Sequence, residues 1–201
     1  KDYASVFRNN KELVKSLSPS NSIVALNSWY AHHRMDNLPL VKIGEDATQK
    51  PVMHNGPRKN LTIVVLGETS RADNFSLGGY DRETNPRLQQ DNVVYFPKTT
   101  SCGTATAVSV PCMFSNMPRA RYDEELAHHQ EGVLDILQRA GIQVLWNDND
   151  GGCKGACDRV PHQNVTDLKL TGQCIDGECY DDVLFHNLDS YIDNLQQDGI
   201  I

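Results

Sequence analysis

Strand-like apolar segments alternate with amphipathic helices along most of the chain, and no other feature restricts the fold as much. Residues 61–66 are apolar on both faces apart from Thr62 and rich in β-branched side chains, as expected of a strand buried in a parallel sheet. Apolar residues recur at helical spacing over residues 125–140, and Gly141 is expected to end that helix. Residues 142–146 then have the pattern of a second strand.

The same order continues to the end of the sequence. A third helix is predicted over residues 181–195, and Ile200 and Ile201 look like the first residues of another buried strand. Such alternation predicts an α/β fold, with a mostly parallel sheet that carries helices on both faces. In these sheets ligands gather at the carboxyl ends of the strands. Side chains that directly follow a predicted strand are therefore the first candidates for a functional site.

The first sixty residues have a different character, being polar and weakly patterned. A short amphipathic helix is predicted over residues 2–16, and the prolines and charged side chains of residues 51–60 predict a linker. We therefore expect residues 1–60 to be a connector and residues 61–201 to form a domain. The chain begins at Lys1 rather than at Met, so we expect a longer protein whose upstream part holds an export signal or a membrane anchor.

The composition argues against several classes of protein. Hydrophobic residues make up 39% and charged residues 22% of the chain, which is typical of globular proteins and unlike disordered ones. The formal charge of -7 and the lack of a Lys/Arg cluster argue against a nucleic-acid partner, since clustered cations hold the phosphate backbone. The acidic excess suits a metal or a cationic group better. No stretch of the sequence approaches the roughly 20 apolar residues that a membrane-spanning helix needs.

Six cysteines stand in three close pairs, each flanked by polar or Gly-containing turns. Such near-neighbour pairs suggest short-loop disulfides and an oxidising compartment. A zinc site built from the last four cysteines is the alternative, because their spacing does not exclude one. The pairs are Cys102 with Cys112, Cys153 with Cys157, and Cys174 with Cys179.

Glu68 almost directly follows the predicted strand of residues 61–66. A carboxylate at the carboxyl end of a buried strand can hold a metal cation. The alternative is an ordinary surface glutamate in a strand-to-helix loop, and position alone does not decide between the two.

Residues 99–112 alternate hydroxyl-bearing and small side chains, within a segment that a Cys102–Cys112 disulfide would close. A helix is predicted to start between Thr104 and Ser109. A hydroxyl at a helix start meets unpaired backbone N–H groups and the positive end of the helix dipole, which favour an incoming phosphate. Because an alcohol is a poor nucleophile without a base or a metal, this segment would need a metal. The alternative is a helix cap whose hydroxyls are satisfied locally.

Asp148, Asp150 and Lys154 follow the predicted strand of residues 142–146, so they are expected near the same edge of the sheet. A lysine near a metal centre can contact a phosphate as a point charge. Equally, these residues can form a solvated loop that a Cys153–Cys157 disulfide closes.

Six motifs in the sequence are long and specific enough to indicate a family. They stand at residues 67–76, 79–80, 101–106, 109–114, 146–150 and 153–157. Together they resemble the lipid A phosphoethanolamine transferases, a family that includes chromosomal enzymes and the mobile colistin-resistance enzymes. The resemblance covers essentially the whole chain. It implies an alkaline-phosphatase/sulfatase-like domain on the periplasmic face of the bacterial inner membrane, incomplete at its C-terminus here and connected by residues 1–60 to an N-terminal membrane domain.

The resemblance also implies roles for single residues. Thr106, the second threonine of the Cys-Gly-Thr-Ala-Thr motif, matches the family's nucleophile and a metal ligand, and Glu68 matches a zinc ligand. Lys154 and Asp150 match positions that contact the phospholipid substrate. The family's remaining zinc ligands lie beyond residue 201, so we expect these 201 residues alone to bind zinc weakly and to turn over little.

The implied reaction has two steps and three partners. Zinc polarises the threonine hydroxyl, which attacks the phosphate of phosphatidylethanolamine and releases diacylglycerol; a lipid A phosphate then takes the phosphoethanolamine. Because the added amine reduces the negative charge that attracts polymyxins, colistin resistance is expected. The implied partners are the donor phospholipid, lipid A and the membrane surface, with no nucleic acid, and the protein is expected to be a monomer. The alternatives are a metal-dependent phosphodiesterase or sulfatase of the same fold, and an inactive, exported, disulfide-held module.

Overall fold

The computed structural model divides into two compact units, Lys1–Val41 and Lys42–Ile201. In the first unit, helix α1 (Ser20–Met35) leaves the side chains of Ile23, Leu26 and Trp29 more than half exposed. The helix predicted over residues 2–16 and most of the predicted linker fall outside the residues that the structure describes. Those residues are 20–35, 38–49, 59–67, 70–175 and 178–201, and none of their helices is long and apolar enough to cross a membrane.

The second unit is built from short elements. Its strands are β1 (Leu61–Thr62), β2 (Gln143–Val144), β3 (Trp146–Asp148), β4 (His162–Asn164), β5 (Cys174–Ile175), β6 (Glu178–Cys179) and β7 (Gly199–Ile200). Its α-helices are α2 (Pro86–Gln90), α3 (Thr106–Phe114), α4 (Glu124–His128), α5 (Val133–Arg139) and α6 (Leu188–Asp193). Single 3-10 turns stand at Ala72–Asn74, Ser76–Gly78, Arg119–Arg121, Val165–Leu168 and Asp181–Phe185.

A parallel sheet in the order β1-β7-β2 organises this unit. The last strand of the sequence therefore lies between the first two, as the crossover connections of α/β folds allow. The backbone pairing extends past the strand ends, because the amide of Val64 donates to the carbonyl of Ile201 at 2.8 Å and that of Leu145 donates to Ile200 at 2.9 Å. Strands β3 and β4 are also parallel, and the β5-β6 hairpin is antiparallel. The predicted α/β architecture with a mostly parallel sheet is confirmed.

The predicted burial of residues 61–66 is wrong. Although β1 pairs in parallel with β7, Ile63 and Val64 are about half exposed and Val65 is 80% exposed. The buried apolar cluster of the described residues is formed around β2, and residues 61–66 do not take part in it. Periodicity in the sequence reports that a strand is apolar but not which side of it is covered.

The single helix predicted over residues 125–140 is two helices, α4 and α5. They are separated at Gly132, where a Cβ atom would lie 2.8 Å from the carbonyl oxygen of Phe114, so a close approach from elsewhere in the chain requires glycine at this point. The amide of Gly132 donates to the carboxylate of Asp135 at 2.7 Å, which begins the second helix. The predicted end at Gly141 is confirmed, since this glycine has a φ of 89° just beyond α5.

Two further predicted elements are divided in the same way. The strand predicted over residues 142–146 becomes β2 and the start of β3, which belong to different sheets. The helix predicted over residues 181–195 is a 3-10 turn followed by α6, because Asn187 between them has a left-handed φ of 65°. The predicted strand at Ile200 is confirmed as part of β7.

The core of the second unit lies between α5, β2 and the disulfide-closed loop after β3. Five of the buried residues that the structure describes form one cluster there, and Phe114 and Trp146 pack against it with their rings in edge contact at a centroid distance of 5.2 Å. Burial of one such apolar side chain stabilises the fold by about 1.5–3 kcal/mol. The buried members are Leu134, Val144, Cys153, Cys157 and Val160.

Two ion pairs fasten α5 to its surroundings. Arg159 donates from Nε and Nη2 to the two carboxylate oxygens of Asp135, at 2.8 and 2.7 Å. Burial acts to raise the pKa of Asp135, but the hydrogen bonds from Arg159 and from the Gly132 amide outweigh it and hold that pKa below its usual value. This bidentate geometry is the stronger kind of Arg–carboxylate contact.

The second pair, Glu131 with Arg139, holds a segment that the sequence assigned to the connector. Glu131 accepts hydrogen bonds from Arg139 and from the amide of Ile43, and Arg139 donates to the carbonyls of Ile43 and Gly44 at 2.9 and 3.1 Å. Burial raises the pKa of Glu131, yet these donors bring it below its usual value. Residues 42–49 therefore belong to the second unit, while the predicted domain boundary at residue 60 stays a prediction.

Candidate active site

Thr106 is the first residue of α3, so the structure confirms that a helix starts within the hydroxyl-rich segment. The chain enters the helix through Ala105, which is extended, and the carbonyl of Ala105 accepts the amides of Val108 and Ser109 at 3.0 and 2.9 Å. With Ala105 as the N-cap, no side chain caps the helix. The first-turn N–H groups and the positive end of the helix dipole lie at the N-terminal end of α3, which is where Thr106 stands.

The Cys102–Cys112 disulfide closes the segment around Thr106, as the sequence predicts. It ties the chain before the helix to a buried residue near the helix end. At Gly103 a Cβ atom would lie 3.1 Å from Cγ1 of Val108, so the entry segment runs close to the helix. The backbone around Thr106 is thus fixed from both sides.

Asp150 and Lys154 lie in one loop beyond β3, which we call the 148–157 loop. Its sharp turns use glycines with positive φ, 74° at Gly151 and 89° at Gly152, a region that glycine enters at little cost. Asp148, at the end of β3, accepts the amides of Asp150 and Gly152 on one oxygen, at 2.9 and 2.8 Å. These residues share one loop beyond β3, whereas their predicted place beside Glu68 and their roles stay predictions.

Lys154 itself adopts an uncommon backbone conformation. Its φ is 52°, a left-handed value that few residues other than glycine adopt and that often marks functional positions. Its ammonium donates to the carbonyl of Gly151 at 2.6 Å. The Cys153–Cys157 disulfide encloses it, and both cysteines are part of the buried core. Lys154 is therefore presented on a rigid base rather than on a free loop.

Two asparagines, whose roles the sequence analysis missed, hold the 148–157 loop from outside. Asn149 donates to the carbonyl of Cys179 and to the carboxylate of Asp181, both at 3.0 Å, and Asn147 donates to the carbonyl of Leu184 at 3.2 Å. The Cys174–Cys179 disulfide closes the hairpin that supplies the first of these acceptors. The only signal in the sequence was the polar run that these asparagines share with Asp148 and Asp150.

Glu68 lies outside the described residues, but the strand that leads to it does not. Strands β1 and β2 run parallel to β7 on its two sides, so their carboxyl ends reach the same edge of the sheet. The first of these ends continues to Gly67, and the second continues through β3 into the 148–157 loop. This edge is where α/β sheets bind ligands.

The described residues alone do not form a zinc site. Among them, one group of three metal-binding side chains comes together, namely Cys153, Cys157 and Asp158. Its two cysteines are joined in a disulfide and so cannot act as thiolate ligands. The alternative zinc site of four cysteines is wrong for the same reason, because Cys174 and Cys179 form the third disulfide. The predicted oxidised pairing is confirmed for all six cysteines.

Two protein-family models match different parts of the chain. Residues 60–201 match the family model described as Sulfatase, and residues 1–34 match the model described as Phosphoethanolamine transferase EptA/EptB. The first match includes β1, α3 and the 148–157 loop.

Individual relatives agree with these matches. The chain is 76% identical over its whole length to phosphoethanolamine transferase EptA of Salmonella typhimurium, and 39% identical over 94% of its length to phosphatidylethanolamine transferase Mcr-1 of Escherichia coli. It spans 37% of the length of each of these relatives.

A solved structure shows the same fold. The integral membrane protein lipooligosaccharide phosphoethanolamine transferase A from Neisseria meningitidis superposes with a TM-score of 0.83 and 43% identity, over 99% of this chain and 37% of that protein. The predicted resemblance is confirmed. The chain therefore belongs to the sulfatase family, and its similarity to the phosphoethanolamine transferases within that family extends over its full length.

Proposed function

We propose that the protein containing this chain transfers phosphoethanolamine from phosphatidylethanolamine to a phosphate of lipid A, through a covalent intermediate on Thr106. One observation carries the proposal: a chain 76% identical to a phosphoethanolamine transferase places this threonine at the first position of a disulfide-anchored helix. The name of the Mcr-1 relative contains the proposed donor, phosphatidylethanolamine, and the name of the Neisseria protein contains lipooligosaccharide.

In the first half of the reaction, the oxygen of Thr106 attacks the donor's phosphorus. The bond from phosphorus to the diacylglycerol oxygen breaks, and diacylglycerol leaves with the proton that the threonine loses. Negative charge develops on the phosphoryl oxygens, where the start of α3 and the ammonium of Lys154 would stabilise it. Asp150, as an ionised carboxylate, only accepts hydrogen bonds and would therefore contact the ammonium end of the donor.

In the second half, an oxygen of a lipid A phosphate attacks the same phosphorus. The bond to Thr106 breaks, and the threonine oxygen regains a proton. The acceptor phosphate then carries an amine whose positive charge offsets part of its own negative charge. A surface modified in this way attracts cationic polymyxins less strongly, so polymyxin resistance is the expected consequence.

We propose zinc as the cofactor, with the carboxylate of Glu68 and the hydroxyl of Thr106 among its ligands. A bound zinc ion would lower the pKa of the hydroxyl and neutralise phosphoryl charge. Because the described residues do not complete a tetrahedral site, the remaining ligands would come from elsewhere in the whole protein. We place the activity on the periplasmic face of the inner membrane, which suits the three disulfides of this chain.

The covalent intermediate provides the test. Full-length protein incubated with phosphatidylethanolamine in detergent micelles should gain the mass of one phosphoethanolamine group, and peptide mapping should locate it on Thr106. Thr106→Ala should remain unmodified, and Thr106→Ser, which retains a hydroxyl, is the matched control that should still be labelled. An unmodified wild-type protein that also leaves lipid A unchanged would refute the transferase assignment.

The match to the sulfatase model favours a second candidate, a hydrolase that uses the same threonine. In that case water rather than lipid A would accept the group. Lipid A supplied to the labelled enzyme distinguishes the two, because a transferase moves the label to lipid A while a hydrolase releases free phosphoethanolamine at the same rate with or without lipid A.

A further inference from the structure

Asp148 and Lys154 both form hydrogen bonds with one peptide group in the 148–157 loop. Its Oδ1 accepts the amide of Gly152 at 2.8 Å. The carbonyl on the other side of that same peptide bond belongs to Gly151, and it accepts the ammonium of Lys154 at 2.6 Å. A single peptide group thus connects the carboxylate of Asp148 to the charged end of Lys154.

This peptide group is flanked by two glycines and needs an external constraint. Gly151 and Gly152 both have positive φ, and glycine moves between regions of backbone conformation more freely than any other residue. Rotation of the peptide plane would turn the Gly151 carbonyl away from Lys154. The hydrogen bonds to Asp148, which include a second one from the amide of Asp150 at 2.9 Å, prevent that rotation. Hydrogen bonds to a charged acceptor are roughly twice as strong as neutral ones.

The position of Asp148 suits restraint of the Gly151–Gly152 peptide group better than direct contact with a ligand. The residue is the last of β3 and pairs there with Asn164 of β4. Its side chain is half-buried, whereas Asp150 is exposed. Its second oxygen lies 3.4 Å from the indole nitrogen of Trp146, whose ring packs on the core. The carboxylate therefore faces the inside of the loop from a rigid strand.

We propose that Asp148 is a positioning residue for Lys154, which fixes the Gly151–Gly152 peptide so that the ammonium is held where the donor phosphate enters. The inference rests on the proposed function, since it assumes that Lys154 contacts a phosphate. Without substrate, the Gly151 carbonyl holds the ammonium in place. When the phosphate arrives, the ammonium needs to move only from this neutral acceptor to the charged one.

The test uses the full-length enzyme and the rate of phosphoethanolamine transfer as a function of donor concentration. Asp148→Ala should lower kcat/KM for the donor by ~10- to 100-fold, as small misplacements of a substrate-contacting group do, mainly through KM. Asp148→Asn retains an acceptor oxygen and should recover most of the loss. Asp193→Ala, at the exposed end of α6, removes an aspartate without touching the loop and should match wild type.

A double-mutant cycle separates positioning from a general structural role. Once Lys154→Ala has removed the ammonium, adding Asp148→Ala should change kcat/KM little further. Full additivity of the two losses, or equal losses from Asp148→Asn and Asp148→Ala, would overturn the inference. Thr106 labelling of wild type in the same preparations tests the proposed function separately, so failure of one does not count as failure of the other.

Discussion

The 148–157 loop and the segment of residues 61–66 approach the same sheet edge on opposite sides of β7, but they are held in opposite ways. The loop is closed by a disulfide, packed on the core and held in its first half by side-chain hydrogen bonds of Asp148 and Asn149. The other segment is held through backbone hydrogen bonds to β7 and leaves Val65 80% exposed. A disulfide, core packing and side-chain hydrogen bonds secure one side of the candidate site, whereas the other side offers apolar surface.

Among these predictions, the largest loss of unfolding free energy should come from a substitution in the core beneath the 148–157 loop. Leu134 is 4% exposed and belongs to the cluster that supports Cys153 and Cys157. Leu134→Ala should lower the free energy of unfolding by ~2–5 kcal/mol through lost burial and a residual cavity. Urea unfolding followed by circular dichroism measures it. A loss below about 1 kcal/mol would mean that the loop does not depend on this cluster.

The ion pair between Asp135 and Arg159 should give the next largest effect. Asp135→Ala removes both hydrogen bonds from Arg159 and the one from the Gly132 amide. We expect a loss of ~1–3 kcal/mol, because the arginine and the amide lose a charged acceptor. The same urea experiment measures it. Asp189→Ala, an exposed aspartate in the first turn of α6, is the matched control and should change stability by less than ~0.5 kcal/mol.

Acid should lower the unfolding free energy that the ion pairs of Asp135 and Glu131 contribute. The pKa values of Asp135 and Glu131 are both lowered in the folded protein. A carboxylate with a depressed folded pKa contributes stability that is fully present above its unfolded pKa, about 3.9 for Asp and 4.3 for Glu, and lost as the pH falls through the folded value. Unfolding free energies should therefore be level near neutrality and decline below about pH 4. Asp135→Asn should flatten that decline, and an unchanged slope would show that this carboxylate is not responsible.

The sequence predicts those parts of the fold whose causes lie within a few residues. Gly141 ends a helix because of its own backbone freedom, and the cysteine pairs close short loops. The break at Gly132 was missed because its cause is the carbonyl of Phe114, eighteen residues earlier. The exposure of residues 63–65 was missed because it depends on which distant parts of the chain pack over them, and the described core forms around β2 instead.

The candidate site shows the same limit. Spacing after a predicted strand was enough to single out Asp148, Asp150 and Lys154 as neighbours. The bridge from Asp148 through the Gly151–Gly152 peptide could not be read from spacing, because it depends on two positive φ angles and on where the lysine side chain folds. The roles of Thr106 and Glu68 rest on family resemblance rather than on a pattern that physical chemistry alone would single out.

The smallest expected change in stability comes from a substitution in the exposed segment of residues 61–66. This change is the sharpest test of the contrast between that segment and the 148–157 loop. Val65→Ala should change the stability of the 201-residue chain by less than ~0.5 kcal/mol, since an 80% exposed side chain has little burial to lose. Val160→Ala is the matched substitution in the core, where the valine is 5% exposed, and should cost roughly 1–3 kcal/mol.

The same pair of substitutions in the full-length protein asks whether this apolar surface remains uncovered. If another part of that protein covers residues 61–66, Val65→Ala becomes a core substitution there and its cost approaches that of Val160→Ala. If its cost stays within ~0.5 kcal/mol, the strand remains open to solvent beside the carboxyl end that leads to Glu68. The cost of Val65→Ala in the full-length protein is compared with its cost in the 201-residue chain. The difference shows whether residues 61–66 are covered by another part of the protein or are held by β7 alone.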